Sequence, residues 1–183
     1  MKKAKNSFGH CEYNYRLDSI FLRSIEEFSK ADVEVIRLDG EYSKNHNASL
    51  IPKMFAASET RTEAGVVALM AASSWLEQSL YSYAVRFLDV ESYEDHIGSL
   101  RVLSRWLLVP KLCENKDIDD DSEAMNALRE MVHARNAVIH PKRQIMSDVG
   151  VSRRRVSKES ARFLAVCRKL ERTVASLRAL ISS

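Results

Sequence analysis

The sequence predicts an all-α protein, a single helical-bundle domain of about five helices. Three observations carry this. Only five Gly and three Pro occur in 183 residues, too few for a loop-rich sandwich. Hydrophobic residues make up 45% and charged residues 29%, an ordinary globular composition that argues against a disordered chain. Apolar residues also recur three and four apart over long stretches, the period of amphipathic helices.

Residues 12 to 30 place Leu17, Ile20, Phe21, Ile25 and Phe28 on one stripe, a first helix. Between Ala31 and Ser58 the pattern degrades. Val33, Val35 and Ile36 fit a short strand or one helical turn within an irregular segment, Asp39-Gly40 a turn, and Pro52 a break in any helix entering it. Residues 1–58 are therefore expected to be an N-terminal helix plus an irregular segment packing on the core of a helical domain, residues 59–183. A long central helix follows from Glu59 to Leu88, with Val66, Leu69, Met70, Leu80, Ala84, Phe87 and Leu88 on one arc. Ser92 with Asp95 reads as a capping box, and Leu100, Leu103, Trp106 and Leu107 continue helically until Pro110 ends the element. The acidic run Glu114 to Glu123 is too polar to bury and predicts a loop before the next helix, Ser122 to Ile139. A last helix is expected from Ser157 to Ile181, after the basic connection PKRQIMSDVGVSRRRV.

Cys11, Cys113 and Cys167 are odd in number and widely separated, which predicts reduced structural thiols rather than a zinc or redox pair. The basic N-terminal tip has no apolar stretch behind it, so no secretory signal is read there. The most apolar run, Val66 to Leu76, meets Glu77 and Gln78 before it could span a bilayer. A cytoplasmic location and no membrane partner are expected. The acidic loop lacks the glycine and terminal glutamate of a calcium loop, so no metal and no cofactor are expected. Charge is uneven: from Pro141 onward eleven Lys and Arg face three Asp and Glu, which leaves 17 against 22 before it. Such a balance suits an anionic partner near the junction, or a solvated helix face.

On a wheel of the helix ending at Ile139, Met125, Leu128, Met131, Val132, Val138 and Ile139 form the core face. Arg129, His133, Asn136 and His140 form a separate polar ridge. Arg135 falls within the apolar arc, where an unpaired guanidinium would be costly. Glu77 points from the core arc of the central helix, so a Glu77–Arg135 pair is expected, the alternative being an Arg135 that reaches past the core to solvent or a second subunit. His133 reads as a substrate-facing auxiliary or a surface residue, since the pattern supplies no third ligand for a metal. Trp75, Tyr83 and Trp106 read as core or interface aromatics.

A long helix ending in an acidic position, a tryptophan helix, an acidic loop and a helix closing on Arg135, Asn136, Ala137, Val138, Ile139 and His140 resembles the HEPN domain. The likeness spans roughly residues 60 to 182, and its specific part is those six residues. What it implies is a metal-independent endoribonuclease acting as a homodimer, a toxin or defence component, with the two motif helices meeting near a twofold axis. Composite sites would then join Arg135 and His140 across two chains. In that reading His140 is the acid or base, Arg135 the phosphate clamp, and Asn136 the orienting hydrogen-bonder. Lys142, Arg143, Arg153, Arg154 and Arg155 would hold flanking phosphates of RNA, with Glu77, His133 and Arg129 in support. An antitoxin or other regulatory protein fits as a partner. In some toxin members a tyrosine two places after the motif histidine is modified; here Lys142 stands there, so control by a nucleotidyltransferase gains no support. A non-catalytic interaction or nucleic-acid-binding module, and a helical scaffold without ligand, are the rival readings.

Overall fold

The computed structural model describes the backbone of residues 7–139 and 149–182, and the side chains of 16–139 and 158–182. Among these residues there is no strand, and six α-helices follow in order: α1 Ser7–Asn45, α2 Leu50–Ala84, α3 Val90–Tyr93, α4 Val102–Glu114, α5 Glu123–Ile139 and α6 Val149–Leu180. One wide π-turn, Glu94–Gly98, continues α3.

α1 is 39 residues long, so the irregular stretch expected from Ala31 to Ser58 is helical almost throughout. Val33 and Ile36 lie on its exposed side, while Ala31 and Leu38 extend the buried stripe of Phe21 and Phe28. Asp39-Gly40 is no turn, and Gly40 sits inside the helix with nothing near a would-be Cβ. Burying Leu38 is worth roughly 1.5–3 kcal/mol, which offsets the few tenths each β-branched residue loses and the approximately 1 kcal/mol of a helical glycine. Ile20, assigned to the stripe, is 45% exposed instead.

Pro52 opens α2 rather than breaking it. It is the third residue of the helix, where its missing N–H has no intrahelical partner to lose. α2 stops at Ala84, so Phe87 and Leu88 lie beyond it, and Phe87 is 49% exposed. α1 and α2 form an antiparallel hairpin. α2 and α6 run parallel, because Gly65 meets Cys167 and, ten residues on, Trp75 meets Arg178. A Cβ on Gly65 would lie 3.0 Å from Phe163 Cζ, 3.1 Å from Phe28 Cδ2 and 3.2 Å from Cys167 Sγ, so the missing side chain lets three helices converge. Cys167, buried there, donates to Gly65 O at 3.7 Å.

The expected cap at Ser92 is displaced to Asp89, whose Oδ1 accepts from Ser92 N at 2.8 Å. Pro110 does not end its helix. α4 continues to Glu114 and closes where Asn115 turns left-handed at φ 53°, with Asn115 N donating to Lys111 O. α5 buries Met125, Leu128, Met131 and Ala134, but Ile139, placed on its core face by the wheel, is 38% exposed. α6 begins eight residues earlier than expected, at Val149, and buries Val166, Cys167, Leu170, Val174 and Leu177 in its C-terminal half, with Ile181 buried just past its end. Trp106, with no exposed surface, anchors α4 in the core shared with Leu69, Leu76, Leu80 and Leu128. None of the helices is long and apolar enough to cross a membrane among the described residues.

Candidate functional site

Ser122 Oγ accepts Met125 N at the start of α5, and the core face then fixes the helix's rotation, which decides where every motif side chain points. Arg135 follows the buried Ala134 and lies at the edge of the core, its side chain 28% exposed. Its Nη1 donates to Glu77 Oε1 at 3.0 Å, the pair that the two helical wheels place together. Glu77 Oε2 also lies 3.5 Å from Nη2 of Arg105, whose side chain is only 15% exposed. One carboxylate from α2 therefore holds two guanidiniums, from α4 and α5, and the trio carries a net positive charge. A half-buried guanidinium with one edge committed to a carboxylate is oriented, and its remaining N–H groups stay available for a second acceptor.

The neighbouring ridge divides. Asn136 and His133 are exposed. His133 edges a shallow cleft of about 210 Å³ between α2, α5 and α6, together with Thr62, Val66, Val138, Glu159 and Phe163. Arg129 turns away from the motif: it donates to Asn126 Oδ1 at 2.7 Å and pairs with Asp120 of the acidic loop. That loop is thus tied to α5 by charge, and no group of three or more His, Cys, Asp or Glu among the described residues is placed to hold a metal. His140, Lys142 and Arg143 lie outside the described residues. Arg153, Arg154 and Arg155 belong to α6, but their side chains lie outside the description.

Two clusters escaped the sequence reading. Arg105 precedes the core Trp106 and carried no pattern of its own. Asp32 is the stronger case, because its carboxylate, 10% exposed, bonds Arg168 Nε at 2.7 Å and Nη2 at 2.8 Å, and Arg61 Nη1 at 3.2 Å. The Arg168 hydrogen bonds, then those of Arg61, hold the Asp32 carboxyl below the usual range against the opposing effect of burial. This cluster ties α1, α2 and α6 together, nearer the hairpin's turn than its open end. Its signal was present, since Asp32 continues the spacing of Phe21, Ile25 and Phe28 at four, three and four residues.

Trp75 and Tyr83 are core residues, as read, with Arg178 stacked 4.4 Å over the Trp75 ring. Fold and site together define an all-helical bundle with a cationic cluster fixed at the C-terminal half of α5. Comparison with family models, curated proteins and solved structures finds no match to this chain.

Proposed function

We propose that the protein is a metal-independent endoribonuclease that works as a homodimer, with a composite site made of Arg135, Asn136 and His140. One observation carries the reading: Glu77 fixes Arg135 while leaving part of its guanidinium exposed, beside the exposed Asn136. Cleavage of RNA without a metal needs a base for the 2′-hydroxyl, an acid for the leaving 5′-oxygen and a fixed cation on the phosphorane. His140 supplies the proton transfers, its unperturbed pKa of about 6.5 allowing both roles near neutrality. Arg135 supplies the charge, held beforehand so that little reorganisation accompanies the reaction. Attack of the 2′-oxygen on the adjacent phosphorus breaks the P–O5′ bond, leaving a 2′,3′-cyclic phosphate and a 5′-hydroxyl. The basic residues that follow His140 supply contacts to flanking phosphates. A toxin or defence role, restrained by an antitoxin or other regulatory protein, is consistent with such an activity.

The test is incubation of the purified full chain with a mixed RNA pool in EDTA, beside His140→Ala. Products ending in 2′,3′-cyclic phosphate from the wild type alone are expected. No cleavage by the wild type, or equal cleavage by both, overturns the reading. A second reading, a non-catalytic nucleic-acid-binding or interaction module, is favoured by the Glu77 bond itself, which gives Arg135 a folding role apart from chemistry. Under it, RNA is retarded in a gel and never cut.

A further inference from the structure

Among the described residues seven buried side-chain nitrogen or oxygen atoms have no hydrogen-bond partner. Four of them surround Glu77: Gln78 Nε2, the Tyr93 hydroxyl, Arg105 Nε and Arg135 Nε. Buried polar groups left unpaired are uncommon and costly, so their gathering in one place asks what completes them. All four can donate, and three can only donate, so the missing partner is an acceptor.

Gln78, Tyr93 and Arg105 line one open cleft of about 290 Å³ between α2, the end of α3 and α4, together with Ser74, Glu77 and Tyr81. Tyr93 is 4% exposed and stands edge-on to Tyr81, with ring centroids 5.1 Å apart. Glu77 contributes a negative charge to the cleft, but Arg105 and Arg135 both pair with it and outweigh it. Glu94, exposed and not part of the lining, acts electrostatically on Tyr81.

We propose that this cleft is a phosphate-binding subsite, in which Tyr93 Oη, Gln78 Nε2 and Arg105 Nε donate to the oxygens of one phosphate. The half-buried Gln78 side chain turns to admit it, because the donor atoms are closed to water in the free chain. The proposal rests on the ribonuclease reading only for the source of the phosphate. In RNA it is a phosphodiester flanking the scissile one, and otherwise it is a free phosphate ester.

The experiment titrates the full chain with inorganic phosphate, and separately with a 2′-O-methyl oligoribonucleotide that cannot be cut, by calorimetry. Tyr93→Phe keeps the buried ring and removes only the hydroxyl, and Gln78→Met keeps the length of the side chain and removes the amide. Each is expected to weaken phosphate binding about tenfold. Tyr93→Phe should also melt no lower than the wild type, since the lost hydroxyl has no partner in the free protein. Competition between oligonucleotide and phosphate identifies the diester as the source, and its absence assigns the site to a free ester. Unchanged phosphate affinity in both variants, no binding by the wild type, or a Tyr93→Phe variant that melts well below it overturns the proposal. A wild type that binds phosphate without cutting RNA defeats the ribonuclease reading alone.

Discussion

Glu77→Gln removes the carboxylate charge that holds two guanidiniums while keeping size and shape, and its cost follows from the geometry. At the 3.0 Å separation of Glu77 and Arg135, Coulomb attraction is roughly 1.4 kcal/mol with water-like screening and about 5.5 kcal/mol at an effective dielectric of 20. With side chains 28% and 31% exposed, the pair lies between a surface bridge, worth about 0.2–1 kcal/mol, and a buried one, whose disruption costs about 3–5 kcal/mol. Exposure discounts the upper figure, and repulsion between the released Arg105 and Arg135 adds to the lower. The expected loss is about 1–2 kcal/mol, a fall in Tm of roughly 2–8 °C for a chain of this length. Circular-dichroism melts of Glu77→Gln, Arg135→Gln and the double variant give the coupling energy directly. A coupling below about 0.3 kcal/mol would refute the ion pair as the device that fixes Arg135.

Four further outcomes follow from the fold. Gly40→Ala should raise stability by about 0.5–1 kcal/mol in chemical denaturation, because a Cβ there meets nothing within 4 Å and the helix loses its most flexible residue. Gly65→Leu should cost about 1–3 kcal/mol or more by the same measurement, since even its Cβ would press on Phe28, Phe163 and Cys167. Asp32→Asn should cost about 2–4 kcal/mol at pH 7 by leaving the well-buried Arg61 without its carboxylate. Because the folded Asp32 carboxyl is held below its ordinary value, this stabilisation is present above the unfolded pKa and fades as pH falls through the folded one, so the gap to wild type should narrow below about pH 4. Burial pushes the Cys167 thiol up to about 12, so native alkylation at pH 8, read by mass spectrometry, should modify Cys113 well before Cys167.

Much of the helical order was legible because the apolar stripes are long. Phe21 and Phe28 on α1, and Leu170, Val174 and Leu177 on α6, declare one face whatever their neighbours do. Local punctuation misled where tertiary packing outweighed it. Asp39-Gly40 and Val33 to Ile36 would weaken an isolated helix, yet α1 continues because Leu38 is buried and Asp32 pairs with Arg61 of α2 and Arg168 of α6, which no local window contains. Pro52 and Pro110 look like breaks in the sequence, but a first-turn proline loses no bond, and the α4 terminus is set instead by the left-handed Asn115. At the candidate site the Glu77–Arg135 pair followed from two charges on core arcs. Arg105 did not, because it sits on the flank of its helix, and its meeting with Glu77 depends on the angle at which α4 crosses α2. Tyr93 and Gln78 were equally silent, since a phenol or an amide on an amphipathic helix declares a partner only once its surroundings are known.

Whether Arg135 of one chain works with His140 of another can be measured by mixing two inactive proteins. Arg135→Gln and His140→Ala, each confirmed as folded by its melting curve, are assayed on RNA in EDTA separately and after unfolding and refolding together. Composite sites predict that neither cuts alone while the mixture does, because each mixed dimer regains one site with both side chains intact. A mixture as inactive as its parts, beside an active wild type, contradicts the composite site.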